Sequence, residues 1–334
     1  MSAIAWQDLR ASDPTLDELV RRRLEDVEEE LERATSSDLP FVAEAAGYLL
    51  AAGGKRFRPL LVMLGGNFGD PDDPRLTRVA VAVELTHLAT LYHDDVIDEA
   101  RTRRGTASAN VRWDNTVAIL TGDYLFARAS EICSGLGPEV SRLLAGTIAT
   151  VCEGQIREVQ IAGRIDVDEA EYVEVVRRKT ASLIATSCRL GGLLSDAEPG
   201  VVDGLEAFGS ALGVAFQLSD DIMDVAADAG VLGKEPGADL REGVFTLPVI
   251  HALRSSPRRE DLGALLSAGA PAGSDLDRAL EIIRADGSLD LARRAVAGQV
   301  RVAIEAALRL PEGRARDALV RLAEFIATRC GAPI

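Results

Sequence analysis

Apolar residues recur three and four positions apart along most of this chain, in a background rich in Ala, Leu, Val, Glu and Arg, and alternating strand-like stretches are hard to find. The pattern predicts an all-α protein. Its first clear segment, "SDPTLDELVRRRLEDVEEELERA", offers Asp13 as N-cap and Pro14 at the first helical position, with acidic residues in the opening turn. Residues 1–35 should therefore hold an N-terminal, mostly exposed helix. Further helices are read at 40–51, 59–68, 74–99, 114–134, 138–162, 168–195, 200–226, 245–254, 274–285, 288–308 and 313–330, divided by Gly, Pro and Asp breaks. Two stretches, 79–93 and 205–219, are apolar all round, which marks central helices.

Composition narrows the class. Aromatic residues make up only 4% of the chain, so the core must be filled by Leu, Val, Ile and Ala, which allow close helix packing. The 334 residues show no linker-like shift in composition, and one domain spanning 1–334 is expected. With 53 Asp plus Glu against 37 Lys plus Arg, the net charge is −16, which argues against nucleic acid or an anionic membrane surface as partner. Cys133, Cys152, Cys188 and Cys330 are scattered without C-x-x-C spacing and fit reduced packing thiols. The N-terminus carries no basic region followed by an apolar one, and no uncharged apolar run is long enough to span a bilayer. These features point to a cytoplasmic protein with no integral membrane segment.

Charge is placed unevenly. "LYHDDVIDEARTRRG", residues 91–105, puts Asp94, Asp95 and Asp98 at the end of an apolar helix. Asp94 and Asp98 are four apart, neighbours on one helix face at about 6 Å, where like charges repel and need a cation. "FQLSDDIMDV" repeats the arrangement with Asp220, Asp221 and Asp224 at the end of a second apolar helix. Paired D-D-x-x-D clusters of hard oxygen ligands favour magnesium, which is typically held by one or two carboxylates together with substrate phosphate oxygens. His87 and Gln217 each stand seven residues before an aspartate of these clusters, on the same helix face. Basic residues stand ready to meet a phosphate. "AAGGKRFRP" supplies Lys55, Arg56 and Arg58 without the spacing of a P-loop, and Arg103 and Arg104 lie in a tight segment closed by Gly105. Guanidinium groups beside metal-bridging carboxylates suit a diphosphate, and two basic patches suggest two phosphate sites.

In these residues the chain resembles the trans-isoprenyl diphosphate synthases, the polyprenyl synthetase family. The likeness runs from "GGKRFRP" through "HDDVIDEARTRRG", "GDYLFA", "RRKTASLI" and "FQLSDDIMDV" to "GKEPGADLREGVFTLP". It implies one all-α domain around a central cavity, assembled as a homodimer. It implies that Asp94 and Asp98, with Asp220 and Asp224 of the second cluster, bind magnesium holding an allylic diphosphate, helped by Arg103, Lys179 and Lys234. Lys55, Arg58, His87 and Arg104 would hold isopentenyl diphosphate, and Thr180 and Gln217 would line the reacting centre beside a developing allylic cation. Ionisation, attack by the isopentenyl double bond and proton loss to the departing diphosphate would follow, with no side-chain nucleophile. One position departs from the pattern: Val244 stands where family members commonly carry lysine.

Product length turns on Ala89 and Thr90, where bulky aromatic residues close the pocket in short-chain relatives; both are small here. The expectation is a trans-polyprenyl diphosphate of about C30 to C50, with geranylgeranyl diphosphate, C20, as the alternative. Ala89→Phe should then shorten the product. Three other readings compete. "ELTH" at 84–87 is a Glu-x-x-His of the di-iron type, but His93 and His251 follow Thr90 and Pro248, so the required second copy is missing. A terpene cyclase would not need the second basic site. A non-catalytic subunit of a heteromeric synthase would be expected to have lost metal ligands, and both clusters are intact.

Overall fold

Pro40, Pro138 and Pro248 each stand in the first turn of a helix, where a missing N–H costs nothing and the fixed φ is already helical. The computed structural model describes residues 14–226, 236–285 and 287–334, so the Asp13 cap lies outside the described residues. The elements run α1 (Pro14–Thr35), α2 (Pro40–Ala51), α3 (Phe57–Gly66) and α4 (Arg75–Ile97), then a two-stranded hairpin, β1 (Thr102–Arg103) and β2 (Thr106–Ala107). They continue through α5 (Ala109–Arg112), α6 (Asn115–Ser134), α7 (Pro138–Ile161) and α8 (Glu169–Val176), a π-helical turn (Arg177–Ala181), α9 (Ser182–Leu194) and α10 (Pro199–Ala226). The remainder is α11 (Ala238–Arg241), α12 (Leu247–Ser255), α13 (Arg259–Ser267), α14 (Ser274–Ala285), α15 (Ser288–Leu308) and α16 (Arg314–Cys330).

The all-α expectation is met, with three local departures. Helix 168–195 is interrupted by the π-helical turn. α1 is not mostly exposed: Leu16, Val20, Val27 and Leu31 form a buried stripe at helical spacing, and only its outer face is solvated. The segment after the first carboxylate cluster forms a hairpin, with Thr102 opposite Ala107 and Arg103 opposite Thr106. Arg104 and Gly105 turn it with φ of 52° and 81°, the positive pair that a two-residue turn of this hand requires.

α4 is buried on every side through the stretch from Val79 to Leu85, as its all-round apolar character predicts, while α10 is enclosed without a break only from Ala211 to Ala215, Ala207 remaining exposed. Each fully buried Leu or Val contributes roughly 1.5–3 kcal/mol. α4 packs chiefly on α6, and α10 lies between α9 and α15. Two apolar clusters result, one around α4 and one around α10; α3 and α9 contribute side chains to both and join them. Among the described residues α10 alone is long and apolar enough to cross a bilayer, and 56% of its apolar window is buried against the rest of the protein. Both central helices thus end in an aspartate cluster.

Candidate active site

Asp94 and Asp98 lie at the C-terminal end of α4, Asp98 as its last cap with its N–H on the Asp94 carbonyl at 2.8 Å. Burial pushes the Asp94 carboxyl up to about 6, partly offset by Lys179 and reinforced by Asp98. Burial raises Asp98 in the same way, again against the pull of Lys179. Asp95, between them, is fully buried and accepts from Arg103 Nε at 2.6 Å. Arg103 is therefore fixed beside the cluster by its own hairpin, which the turn at Arg104 and Gly105 folds back.

Lys179 reaches this cluster from the π-helical turn and pairs with Glu158 of α7, while Asp94 and Asp98 also hold its ammonium charged against burial. The turn is wedged between two glycines. A Cβ on Gly154 of α7 would lie 2.5 Å from the Lys179 backbone nitrogen, and one on Gly213 of α10 would lie 2.5 Å from Ala181 Cα. Two helix backbones thus pack closely on the segment where it underwinds, and the extra residue resets which face Lys179 and Thr180 present. Thr180 donates to Gln217 Oε1 at 3.0 Å, Gln217 Nε2 donates to Asp221 Oδ1 at 3.0 Å, and the Tyr172 hydroxyl donates to Asp221 Oδ2 at 2.7 Å. Burial lifts Asp221 to about 7 in spite of those two donors. The chain of donors fixes the orientation of the Gln217 amide and the Thr180 hydroxyl.

The second cluster differs from the sequence expectation in detail. Asp220, expected as a metal ligand, is ion-paired with Arg329 of α16, whose Nε also donates to Ser219 Oγ at 2.7 Å and whose guanidinium lies 4.9 Å from the Phe216 ring centroid. It is Asp221 and Asp224 that turn toward other carboxylates. Asp224 accepts backbone N–H groups of Ala238 and Asp239 at 3.1 and 3.3 Å, which folds α11 over the end of α10. Burial, with Asp224, Asp221 and Glu242 nearby, pushes Asp239 well above the ordinary carboxylate value. Glu242 is raised by burial and by Asp98 and Asp224, with Arg103 and Lys179 opposing. The ends of α4 and α10 therefore lie within Coulombic reach of a shared rim. Val244, in place of lysine, leaves the nearby Glu242 carboxylate as the charged group contributed by this stretch; its N–H bonds the Asp239 carbonyl at 2.8 Å. Lys234 lies outside the described residues.

The donor set fits a hard divalent cation. Carboxylates of Asp94, Asp98, Asp224 and Asp239 exceed the cations available to them, and burial with mutual repulsion raises the proton affinity of Asp94, Asp98 and Asp239. Among the described residues no three His, Cys, Asp or Glu side chains converge on one metal position.

A second, cationic cluster lies two turns back along α4, around His87. His87 is held neutral far below its ordinary range by burial and by Arg58, Arg104, Arg103 and Arg56. Arg58 is brought down to about 10 by burial, and its Nε has no hydrogen-bond partner among the described residues. Arg104 donates to the carbonyls of Leu49, at 2.7 Å, and Gly53. Lys55 is exposed beside them. Of the residues expected at the second phosphate site, His87, Arg58 and Arg104 are thus brought together, and the neighbouring Arg56, not among those expected there, is held by Glu28 and Glu84. Ala89 is fully enclosed where α6 crosses, with a Cβ on Gly122 falling 3.1 Å from its carbonyl; it does not face open space. Thr90 keeps a partly exposed side chain, its hydroxyl on the His87 carbonyl at 2.7 Å.

Sequence reasoning missed Glu158, Tyr172, Asp239 and Arg329, and it saw Asp221 only as a member of its cluster, not as the anchor of Gln217. "EGQIRE" and the conspicuous Asp239 in "GADLREG" carried the available signal for two of them; Tyr172 and Arg329 reach the site only through the packing of α8 and α16.

Comparison with known proteins agrees with this geometry. The pattern of the family Polyprenyl synthetase matches residues 40–283. The chain is 43% identical over 287 residues to a nonaprenyl diphosphate synthase of Mycobacterium tuberculosis, covering 85% of each protein. It is 43% identical over 308 residues to heptaprenyl diphosphate synthase component 2 of Geobacillus stearothermophilus, covering 91% of this chain and 94% of that protein. The crystal structure of geranylgeranyl pyrophosphate synthase from Corynebacterium glutamicum, complexed with calcium and isoprenyl diphosphate, superposes with a TM-score of 0.85 at 40% identity over 96% of this chain and 99% of that one. The aspartate-rich ends of α4 and α10, the guanidinium pocket beside them and these likenesses over nearly the whole chain agree: the protein belongs to the polyprenyl synthetase family and is a prenyltransferase of the polyprenyl diphosphate synthase type.

Proposed function

We propose that the protein condenses isopentenyl diphosphate head-to-tail with an allylic diphosphate, in a magnesium-dependent reaction, and repeats the step to a trans-polyprenyl diphosphate of about C30 to C50. The observation that carries this reading is the pairing of two unlike anion sites on α4: a carboxylate site at its end and a guanidinium pocket two turns back. Only a reaction that binds two diphosphates at once needs both. The nonaprenyl and heptaprenyl relatives support the chain length, and the geranylgeranyl relative keeps C20 as the alternative.

In this reading Asp94, Asp98, Asp224 and Asp239 hold the metal, with Asp220 able to join only by giving up Arg329. Magnesium supplies charge neutralisation for the leaving diphosphate. Lys179 and Arg103 grip the same diphosphate from two sides. The oxygens of Thr180 and Gln217, oriented through Asp221 and Tyr172, present fixed dipoles to the cationic carbon that forms, so no reorganisation is needed as charge develops. Arg58, Arg104, Lys55 and neutral His87 hold isopentenyl diphosphate in place for attack. Neutral His87 can donate a hydrogen bond to a phosphate without adding a further repelling charge to the pocket.

We further read the active form as a cytoplasmic homodimer. Ile119 and Leu120 of α6 and Ile156 and Val159 of α7 are 43–61% exposed and offer an apolar face to a second copy. A second reading, a subunit of a heteromeric synthase, is motivated by the relative named component 2. The test is purified protein with magnesium, isopentenyl diphosphate and each allylic primer in turn, with products sized by mass spectrometry. Polyprenyl diphosphates of C30 or longer are expected. C20 alone would favour the alternative, and no turnover without a partner protein would favour the subunit reading.

A further inference from the structure

Glu84 is 2% exposed, and nothing in the reaction described above uses it. It opens the "ELTH" turn of α4 and accepts from Arg56 Nη1 at 3.2 Å. Arg56, itself 6% exposed, has its other nitrogens on Glu28 of α1, with Nη2 to Oε2 at 3.0 Å. A left-handed backbone at Arg56, φ 49°, sets this side chain at the start of α3. The guanidiniums crowd together: a Cβ on Gly54 would fall 2.3 Å from Arg56 Nη1 and 3.1 Å from both terminal nitrogens of Arg104. Since Glu28 matches Arg56, Glu84 is the carboxylate left to balance Arg58 and Arg104, and it favours the charged form of each. Arg104 otherwise bonds only backbone carbonyls in the described contacts.

The chemistry gives that balance a use. In each condensation the allylic partner loses its diphosphate, while the diphosphate of isopentenyl diphosphate stays on the product. After every round the product's diphosphate therefore sits in the guanidinium pocket and must leave it before it can serve at the carboxylate site. A pocket of uncompensated buried guanidiniums would hold it fast, because the anion would relieve the whole cost of burying them. We propose that Glu84 is a positioning residue that sets the affinity of the second diphosphate pocket, its buried charge offsetting the nearby arginines when the pocket is empty and weakening their grip so that product diphosphate departs between rounds. The proposal rests on reading this pocket as the isopentenyl diphosphate site.

Inorganic pyrophosphate in EDTA is the probe, since without metal the carboxylate site repels it. Calorimetric titration of the full chain should show Glu84→Gln binding pyrophosphate about 10-fold more tightly than wild type, although its empty form melts at a lower temperature. Glu84→Asp, which keeps the charge, should bind like wild type. In turnover Glu84→Gln should lower KM for isopentenyl diphosphate and lower multi-round kcat by a larger factor than the single-turnover rate. A residue that merely shaped the pocket would give weaker binding on substitution, and weaker or unchanged pyrophosphate affinity in Glu84→Gln overturns the proposal. Should that variant not fold, the double variant Glu84→Gln with Arg56→Gln removes the pair without changing net charge. It must then bind like wild type, and a loss of affinity overturns the proposal. Absence of pyrophosphate binding by wild-type protein in EDTA would overturn the site reading itself.

Discussion

Asp221 shows how one side chain can serve the site at a cost to the fold. Its carboxyl, lifted to about 7 from an ordinary 3.8, binds a proton more readily in the folded than in the unfolded chain. The stability it contributes is therefore present in full below pH 4 and is lost as pH rises through 7. Yet it anchors Gln217 and Tyr172, and through Gln217 the hydroxyl of Thr180. Asp221→Asn should therefore keep or raise the melting temperature at pH 8 while lowering kcat on the order of 100-fold, because the amide no longer fixes Gln217. Thermal melts at pH 5 and pH 8 beside steady-state rates check this; a variant that melts lower at pH 8 and retains full activity would show that Asp221 is a packing residue. The sequence made the aspartates visible, but not their division of labour. Asp220 and Asp221 are adjacent and chemically identical, and only the arrival of Arg329 on one and Tyr172 on the other tells them apart.

At the scale of elements, α4 carries Asp94 and Asp98 at its end and His87 two turns earlier. Periodicity showed its length and burial, because an all-round apolar helix has few other readings. It could not show which small residue faces open space. Ala89 is sealed against α6, so Ala89→Phe should cost about 1–3 kcal/mol by overpacking. Thr90→Phe should instead shorten the product by at least one isoprene unit with little loss of stability. Denaturant melts and product sizing on the two variants distinguish the positions, and a shortened product from a stable Ala89→Phe protein would reverse the assignment. The π-helical turn was hidden for a similar reason. "RRKTASLI" has ordinary helical composition, and its underwound turn lies where the backbones of α7 and α10 approach closely at Gly154 and Gly213.

At the scale of the whole molecule, α3 and α9 tie the two apolar clusters together and hold the ends of α4 and α10 in register. α16 adds a brace from the far end of the chain, with Arg329 clamping Asp220 and lying over Phe216, which stacks on Phe57 at 5.1 Å. The "GGKRFRP" segment is thus coupled to the second aspartate cluster through aromatic contact. The exposed apolar face of α6 and α7 is where the proposed dimer contact is tested. Ile156→Glu, at a side chain 60% exposed in the single chain, should leave the fold intact and shift the protein from dimer to monomer in light scattering. A dimer that survives the substitution would place the interface elsewhere.

By itself the sequence determined the helical class, the two buried helices, the two aspartate clusters at their ends and the basic segments beside them. These are local properties, set by spacing along one helix and by the cost of burying unpaired charge. Tertiary structure decided which of those groups meet. Whether Asp220 or Asp221 turns to a cation, whether Arg56 joins Arg58 in a pocket or is drawn off by Glu28 and Glu84, and where Lys179 points all depend on partners 20 to 110 residues away, brought together by helix packing. A side chain's charge can be read from one letter, but its field is the sum over neighbours that only the folded chain supplies.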